Sequence, residues 1–159
     1  MNAETKIKSI GIIHTPYAEP KNMPIQGTFE KNITGTVELF PEYCEGLKDI
    51  NGFSHLILVY YFDRSTEEKL LAKPYLEDTK HGIFAIRSPH RPNHIGLSIV
   101  KVEDVKEASI TFSEVDILDN TPLLDIKPYV SYFDNRDTVR NGWIEKHFKN
   151  GAIPTRTKI

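Results

Sequence analysis

Short apolar runs separated by polar turns make up most of the chain. The clearest run is 55–62 (HLILVYYF), which is almost continuously apolar and predicts a central strand covered on both faces. Two runs in which apolar and polar positions alternate, 97–105 and 109–116, lie close together and predict a β-hairpin. Further strands are predicted at 7–13, 33–40, 82–87 and 123–129.

Helical patterns are confined to short segments. Pro41 suits the first turn of a short helix that ends at Leu47, because that position needs no N–H donor. A helical turn is also predicted at 67–72. From Arg136 onward, apolar side chains recur at close to helical spacing, which predicts an amphipathic helix packed on the body (Val139, Trp143, Ile144 and Phe148).

The composition favours strands over helices. The chain holds 18 Ile, 8 Val and 12 Thr against 6 Ala, and β-branched side chains fit a pleated sheet better than a helix interior. Closing a sheet into a barrel removes its exposed edges. We therefore predict a mainly β, single-domain closed antiparallel β-barrel with a few short helices and a C-terminal helix. The domain spans 1–159, with a core at about 7–134 and a basic helical tail at 135–159.

The charge and the cysteine count exclude several classes of protein. The chain has 20 Lys and Arg against 22 Asp and Glu, a net charge of −2, which excludes a uniformly basic nucleic-acid coat and an acidic disordered tail. Cys44 alone cannot form an internal disulfide, so a reducing cytoplasm is the simplest setting. No apolar run approaches the ~20 residues of a membrane span. We therefore expect a cytoplasmic protein without a membrane partner.

A cationic segment carries the first candidate chemistry. No Gly-x-Gly is present, so neither a Rossmann dinucleotide loop nor a P-loop is predicted. Segment 79–102 has no acidic residue but holds several cations and histidines in a proline-stiffened loop. It suits a carboxylate or phosphate ligand, although a solvated turn whose arginines cap carbonyl groups has the same composition. His81, His90 and His94 have no Cys or Glu partner nearby, so no metal site is predicted.

A second polar segment, 116–129, combines a tight turn with a strand. The turn Asp119-Asn120-Thr121-Pro122 has side chains that bond their own backbone, and the same groups could instead bind a sugar hydroxyl or an amino group. Asp125, Lys127 and Tyr129 alternate, so they share one face of the predicted strand.

Four blocks, taken in order, resemble the TsaA-like (TrmO-type) family: IGIIHTP (10–16), GFSHL (52–56), RSPHRPNHIGLS (87–98) and DNTPLLDIKPY (119–129). The resemblance runs from about Ile7 to Asp134. It implies a β-barrel methyltransferase that uses S-adenosyl-L-methionine and acts on N6 of adenosine 37 beside the tRNA anticodon. Typically this base already carries a threonylcarbamoyl group. The resemblance also implies a homodimer.

The resemblance places cofactor-binding residues at five positions: Pro24-Ile25-Gln26, Asp63-Arg64, Arg87, Leu97 and Asp119-Asn120-Thr121-Pro122. Three residues differ from the family pattern, since Ile25 replaces an arginine, Asn120 a glycine and His94 a proline. Arg87 is expected to bind the methionine carboxylate or an adjacent backbone carbonyl, and Asp63 or Asp119 the ammonium group or a ribose hydroxyl. Leu97 is expected to pack on the adenine.

The catalytic residues are less well determined. The target N6 must lose a proton, and the candidate acceptors are Asp125, Tyr129 and His55. Asn93 is expected to hydrogen-bond a flipped target base. The expected partner is the tRNA anticodon loop, bound by the basic tail and by a basic face of Lys80, Arg91 and Lys101.

Two other interpretations stay open. One is a non-catalytic β-barrel module that binds RNA or a small ligand. The other is a methyltransferase of the same fold that acts on another substrate, since the cofactor loop is altered at Ile25 and many bacterial members carry a further C-terminal extension. In calorimetry, no binding of S-adenosyl-L-methionine by the purified protein would favour the first.

Overall fold

The computed structural model describes residues 3–151, 154 and 156–159. Its strands, in chain order, are β1 (Gly11–His14), β2 (Thr34–Leu39), β3 (His55–Tyr61), β4 (Leu71–Ala72), β5 (His81–Gly82), β6 (Ile95–Lys106), β7 (Ser109–Ser113) and β8 (Thr121–Pro128). The helices are short: the α-helix α1 (Ser131–Asp134) and 3₁₀ helices at Gly27–Phe29, Pro41–Leu47, Ile50–Gly52, Ile83–Ala85, Pro92–His94 and Gly142–Gly151.

Six strands form a closed antiparallel barrel in the order β1-β2-β7-β6-β3-β8, and β8 pairs back onto β1. Along the longest pairing, His55 of β3 lies opposite Lys101 of β6, and Tyr61 lies opposite Ile95. The predicted hairpin is formed by β6 and β7. The prediction of a mainly β, closed antiparallel barrel is confirmed.

Alternating side chains of the barrel strands build the core. Val37, Leu58, Val100 and Phe112 point inward and are 0% exposed. Burial along β3 alternates between buried and partly exposed positions, so the prediction that this strand is covered on both faces is wrong. The inward face of β3 packs in the barrel core. The outer face also carries apolar side chains, because the sequence of this strand is almost continuously apolar.

Three local predictions are corrected by the structure. Segment 67–72 contains no helical turn, because 71–72 form β4, which pairs with β5. The predicted strand at 82–87 ends after one residue: the N–H of Ile83 bonds to the carbonyl of Leu70 (2.9 Å) and a 3₁₀ helix follows. The C-terminal helix is a 3₁₀ helix that begins at Gly142, after Val139.

Three long connections lie at one end of the barrel: 15–33, 62–94 and 114–120. They follow β1, β3 and β7, which all run towards that end, and we call this end the mouth. The 3₁₀ helices at 41–47 and 50–52 cover the opposite end. Within the part of the chain described above, no helix is long and apolar enough to cross a membrane. The division into one domain with a separate tail stays a prediction.

Candidate cofactor site at the barrel mouth

The first and second mouth connections meet at Arg87. Its Nη1 donates a hydrogen bond of 3.0 Å to Oε1 of Gln26. The amide group of Gln26 in turn donates to the carbonyl of Ile25 at 2.7 Å. Pro24 is fully buried, so this loop presents Gln26 rather than Pro24 to the mouth. Two of the predicted cofactor positions are thereby brought together.

Arg64 joins the second connection to the third. Its Nη2 donates to the carbonyl oxygen of Asp119 (2.7 Å) and to Oγ1 of Thr121 (3.0 Å), and its Nε lies 3.5 Å from the carboxylate of Asp63. The carboxylate of Asp119 accepts a hydrogen bond of 3.0 Å from the N–H of Thr15. The predicted acidic turn, at the end of the third connection, therefore contacts both the first and the second connection. Pro122 follows in β8, opposite Ile12.

At two of the positions that depart from the family pattern, Asn120 and His94, the backbone adopts a positive φ. Asn120 has a φ of 59°, in the left-handed region that asparagine tolerates better than most residues after glycine. Asn93 and His94 also have positive φ values, 62° and 48°. The carbonyl of His94 accepts the N–H of Phe62 at 2.8 Å, which holds the exposed Asn93 at the mouth end of the barrel.

Leu97 lies on the outer face of β6, just below the mouth. It is 50% exposed and stands between Ile95 and Ile99, which are 41% and 43% exposed. We call these three residues the apolar strip. Their neighbours across β3 are Tyr61, Val59 and Ile57, which extend the apolar surface. The strip leaves Leu97 accessible to a ligand or to a partner.

Asp116 lies beneath the mouth and is absent from the predicted site residues. Its Oδ1 accepts a hydrogen bond from Oγ of Ser98 (2.5 Å), and its Oδ2 accepts one from the N–H of Gly27 (3.1 Å). The hydroxyl of Ser98 lies 2.9 Å from that of Tyr60. Burial raises the pKa of Asp116 to about 6, although these hydrogen bonds oppose the shift. Burial also raises the pKa of the Tyr60 hydroxyl.

Residues 12–135 match the family described as the tRNA-methyltransferase O N-terminal domain. The chain belongs to this family. The predicted TrmO-type resemblance is thereby confirmed. A crystal structure of TrmO from Pseudomonas aeruginosa aligns with a TM-score of 0.76 at 34% identity and covers 89% of this chain and 63% of that chain.

The chain also matches two named proteins and covers a different share of each. A Pyrococcus abyssi protein named as a probable S-adenosyl-L-methionine-binding protein is 56% identical over 140 residues, which are 88% of this chain and 76% of that protein. A mouse protein named tRNA (adenine(37)-N6)-methyltransferase is 41% identical over 98 residues, 60% of this chain and 22% of that protein. The chain thus spans less than two thirds of the crystallised TrmO chain and under a quarter of the mouse protein.

Two of the three predicted proton acceptors, His55 and Tyr129, lie away from the mouth of this TrmO-family barrel. His55 begins β3 at the opposite end, where its ring meets that of Tyr129 edge to face at 6.2 Å. Six residue steps along β3 lead from His55 to Tyr61 at the mouth, about 20 Å at ~3.3 Å per residue. Asp125 lies on the outside of β8 opposite Val59, at the level of Leu97, and its carboxylate pairs with Lys127 at 3.0 Å. The structure therefore does not bring His55 or Tyr129 to the cofactor positions, and Lys127 already pairs with Asp125.

Several cations of the predicted RNA-binding face are engaged within the chain. Arg91 donates to the carbonyls of Ile83 and Ile86 at 3.3 and 2.8 Å, which is the carbonyl-capping alternative. Lys101 lies 3.5 Å from Glu103. Three tail cations also pair with acids of the body: Lys146 with Glu77, Arg156 with Asp78 and Lys158 with Glu30.

The histidines of the cationic segment form hydrogen bonds. The expectation that they lack an acidic partner is wrong for His81, whose Nε2 lies 2.5 Å from Oε1 of Glu77. His90 pairs with Ser65 at 2.9 Å. Among the described residues, no group of three or more His, Cys, Asp or Glu side chains is arranged to hold a metal ion.

Proposed function

We propose that the chain is a methyltransferase that modifies N6 of adenosine 37 in tRNA, with threonylcarbamoyladenosine as the substrate nucleoside. The observation that carries the proposal is the convergence of three mouth connections, through Arg87 with Gln26 and Arg64 with Asp119, in a member of the TrmO family. The expected cofactor, S-adenosyl-L-methionine, is confirmed by several relatives named for binding it. The name of the mouse relative supports the position of the methylated atom.

The mouth residues fit the chemistry of this cofactor, which carries a carboxylate, an ammonium group, ribose hydroxyls and an adenine ring. Arg87 would bind the carboxylate, because a guanidinium offers two parallel donors. Asp63 and Asp119, whose side chains are 37% and 32% exposed, would bind the ammonium group and a ribose hydroxyl. Leu97 would pack on the adenine.

The main contribution of the protein to the reaction is alignment. The bound cofactor supplies a methyl group on a positively charged sulfur. Holding this donor in line with the target nitrogen can supply ~7–11 kcal/mol of the barrier reduction. The hydrogen bond that Arg87 donates to Gln26 orients its guanidinium, and Arg64 fixes the Asp119 turn. Asn93 would hydrogen-bond the flipped base from its exposed place at the mouth.

The proposed partner is the anticodon loop, presented to the open mouth. Such loops are single-stranded, and aromatic side chains can stack on their bases. Tyr61 is 36% exposed at the mouth end of β3, where it would serve this purpose. A tRNA substrate places the protein in the cytoplasm. His55, Tyr129 and Asp125 stay untested predictions; the distance of His55 and Tyr129 from the mouth keeps these two out of the machinery proposed for one protomer.

We also propose a homodimer whose interface includes the apolar strip, with Leu97 contacting the adenine at the edge of that interface. Three large apolar side chains in a row, each more than 40% exposed, form the kind of patch that usually marks an interface. Ile99→Glu is expected to convert the dimer to a monomer in sedimentation equilibrium. Lys106→Ala, on an exposed side chain at the far end of β6, is the matched control and should leave the mass unchanged. A monomeric unsubstituted chain would contradict the dimer.

The activity is tested with purified chain, methyl-labelled cofactor and two tRNA transcripts that differ only in the threonylcarbamoyl group at adenosine 37. Nucleoside mass spectrometry is expected to place the label on N6 of the threonylcarbamoylated base. Label on any other nucleoside would favour a different substrate. Cofactor binding in calorimetry without transfer to either tRNA would favour the non-catalytic module.

A further inference from the structure

Residues 142–148 pack on the second mouth connection. The indole of Trp143 stacks on the imidazole of His81 with ring centroids 4.4 Å apart. Its Nε1 donates a hydrogen bond of 2.9 Å to the carbonyl of Ala85, two residues before Arg87. The carboxylate of Glu77 lies 2.7 Å from both Nε2 of His147 and Nζ of Lys146. This part of the tail is therefore tied to the loop that carries Arg87.

Residues 156–159 pair with the first mouth connection. Pro24 and Lys158 lie opposite each other in an antiparallel bridge, next to Gln26. Three backbone hydrogen bonds build a short ladder around it: from Ile25 to Thr157 (2.9 Å), from Ile159 to Met23 (2.9 Å) and from Asn22 to Ile159 (3.0 Å). The rings of Phe148 and Phe29 also stack, with centroids 6.2 Å apart.

The contact at Glu77 is ionic at neutral pH. Hydrogen bonds from Lys146, His81 and His147 lower the pKa of this carboxyl to about 2, against the opposing effect of burial. Glu77 is only 9% exposed, and a buried carboxylate is stable only when it is paired and hydrogen-bonded. The tail supplies two of its three partners, so the connection and the tail depend on each other here.

We propose that residues 142–148 and 156–159, which we call the tail clamp, are a positioning element of the cofactor site. The clamp holds the Arg87-bearing and Gln26-bearing connections in the arrangement that binds S-adenosyl-L-methionine. This inference rests on the proposed function only in taking those two connections as the binding loops. A loop that is competent for a fraction of the time binds with an affinity reduced by that fraction, so releasing the clamp weakens cofactor binding without removing a contact to the cofactor.

Deleting residues 156–159 tests the ladder. Calorimetric titration with S-adenosyl-L-methionine is expected to show about tenfold weaker affinity, which corresponds to a competent fraction of about one tenth. Lys158→Ala keeps the backbone ladder and removes only the pairing of its side chain with Glu30 at 3.5 Å, so its affinity should fall no more than about twofold. In the deletion variant the effect should fall on the KM for the cofactor rather than on kcat measured at saturating cofactor and saturating tRNA.

Substituting Trp143 tests the other half of the clamp. Trp143→Phe keeps a ring on His81 and loses one hydrogen bond, whereas Trp143→Ala loses both contacts. We expect about tenfold weaker cofactor binding for the alanine variant and about twofold for the phenylalanine variant. Because Trp143 is the only tryptophan, its fluorescence also reports the release of the tail in the deletion variant as a shift to longer wavelength.

Arg87→Ala separates the clamp from the site on which it acts. If Arg87→Ala weakens binding while the deletion and Trp143→Ala bind like the unsubstituted chain, the clamp is overturned and the site stands. If Arg87→Ala binds S-adenosyl-L-methionine with normal affinity, the cofactor site is wrongly placed, regardless of the affinities of the tail variants. If the deletion lowers the melting temperature so far that the chain unfolds, the Trp143 pair decides: equal affinity of both variants and the unsubstituted chain overturns the clamp.

Discussion

The two ends of the barrel differ in how their polar side chains are bonded. At the mouth, the bonds join segments far apart in the chain, such as Arg87 with Gln26 and Arg64 with Asp119. Towards the opposite end, the polar pairs are local: Lys127 of β8 binds Asp125, two residues before it, and Ser54 binds His55. Both ends carry the residue types of a catalytic site, but only the mouth assembles them from three connections. In the proposed function, this assembly, more than the residue types, distinguishes the mouth as the candidate cofactor site.

A cavity makes the end opposite to the mouth the competing candidate for the cofactor site. A cavity of about 410 Å³ opens at the end opposite to the mouth, with apolar walls and a few charged residues (Ile10, Leu39, Tyr43, Gly46, Leu47, Lys48, Asp49, Ile50, Phe53, Asp125, Ile126 and Pro128). The mouth is an open surface, as the exposure of Leu97 and Arg64 shows. The following experiments separate the two ends.

The largest expected effect is a pH dependence that comes from Asp116. Its pKa is higher in the folded protein, about 6, than its usual value of 3.8. The contribution of this group to the free energy of unfolding is therefore fully present below about pH 4 and is lost as the pH rises through 6. The loss amounts to about 3 kcal/mol. Urea unfolding from pH 4 to 8 should show this fall for the unsubstituted chain relative to Asp116→Asn. A constant difference between the two would contradict the buried carboxyl beneath the mouth.

The next effect distinguishes the ends by cofactor affinity. Arg87→Ala should weaken the binding of S-adenosyl-L-methionine by about 10–100-fold, because a hydrogen bond to a charged group contributes about 1.5–3 kcal/mol. Lys127→Ala removes a cation from the opposite end and should change the affinity by less than about twofold. Calorimetry measures both. The reverse ranking would move the site away from the mouth.

A smaller effect is expected from two glycines, one at each end. A Cβ on Gly27 would lie 1.8 Å from the carbonyl oxygen of Glu114, whereas a Cβ on Gly46 would meet nothing within 4 Å. Gly27→Ala should cost about 1–2 kcal/mol of stability, because the mouth loop can shift only at the expense of its packing. It should weaken cofactor binding as well, while Gly46→Ala should do neither. If the loop were free to move, thermal unfolding and calorimetry would give the same stability and the same cofactor affinity for Gly27→Ala and Gly46→Ala.

The smallest effect concerns the predicted proton acceptors. His55→Ala and Tyr129→Phe should leave kcat within about twofold of the unsubstituted chain, since both residues lie about 20 Å from the mouth along the strand. Methyl transfer at saturating cofactor and tRNA measures this. A fall of a hundredfold or more in either variant would mean that catalysis uses the opposite end of a barrel.

The strand pattern could be predicted because one face of each strand packs in the barrel. Alternation located the hairpin of β6 and β7, and the pattern at 33–40 located β2. The apolar residues at 67–72 and 82–87 lack a clear periodicity, and they led to wrong predictions of a helical turn and of a longer strand. In the structure, the N–H of Ile83 instead donates a hydrogen bond to the carbonyl of Leu70. The local sequence pattern does not distinguish segments joined by such a backbone hydrogen bond from a helix or a longer strand.

The candidate site was predicted only where the family pattern marks it. Arg87 and the turn at Asp119 were found in this way, and both lie at the mouth. Asp116 was missed because its position continues the alternation of a strand, and its importance depends on Gly27 and Ser98, which are distant in sequence. The tail was expected to offer its cations to RNA, yet Lys146 pairs with Glu77. Such pairings follow from tertiary packing, which the order of residues does not reveal.

The most direct test of the mouth as the cofactor site is hydrogen exchange of the intact protein with and without S-adenosyl-L-methionine, followed peptide by peptide. Binding there should slow exchange at 22–30, 62–67 and 116–122 and leave 41–54 unchanged. Slowed exchange at 41–54 with no change in the three mouth segments would place the cofactor in the cavity at the other end and contradict the account.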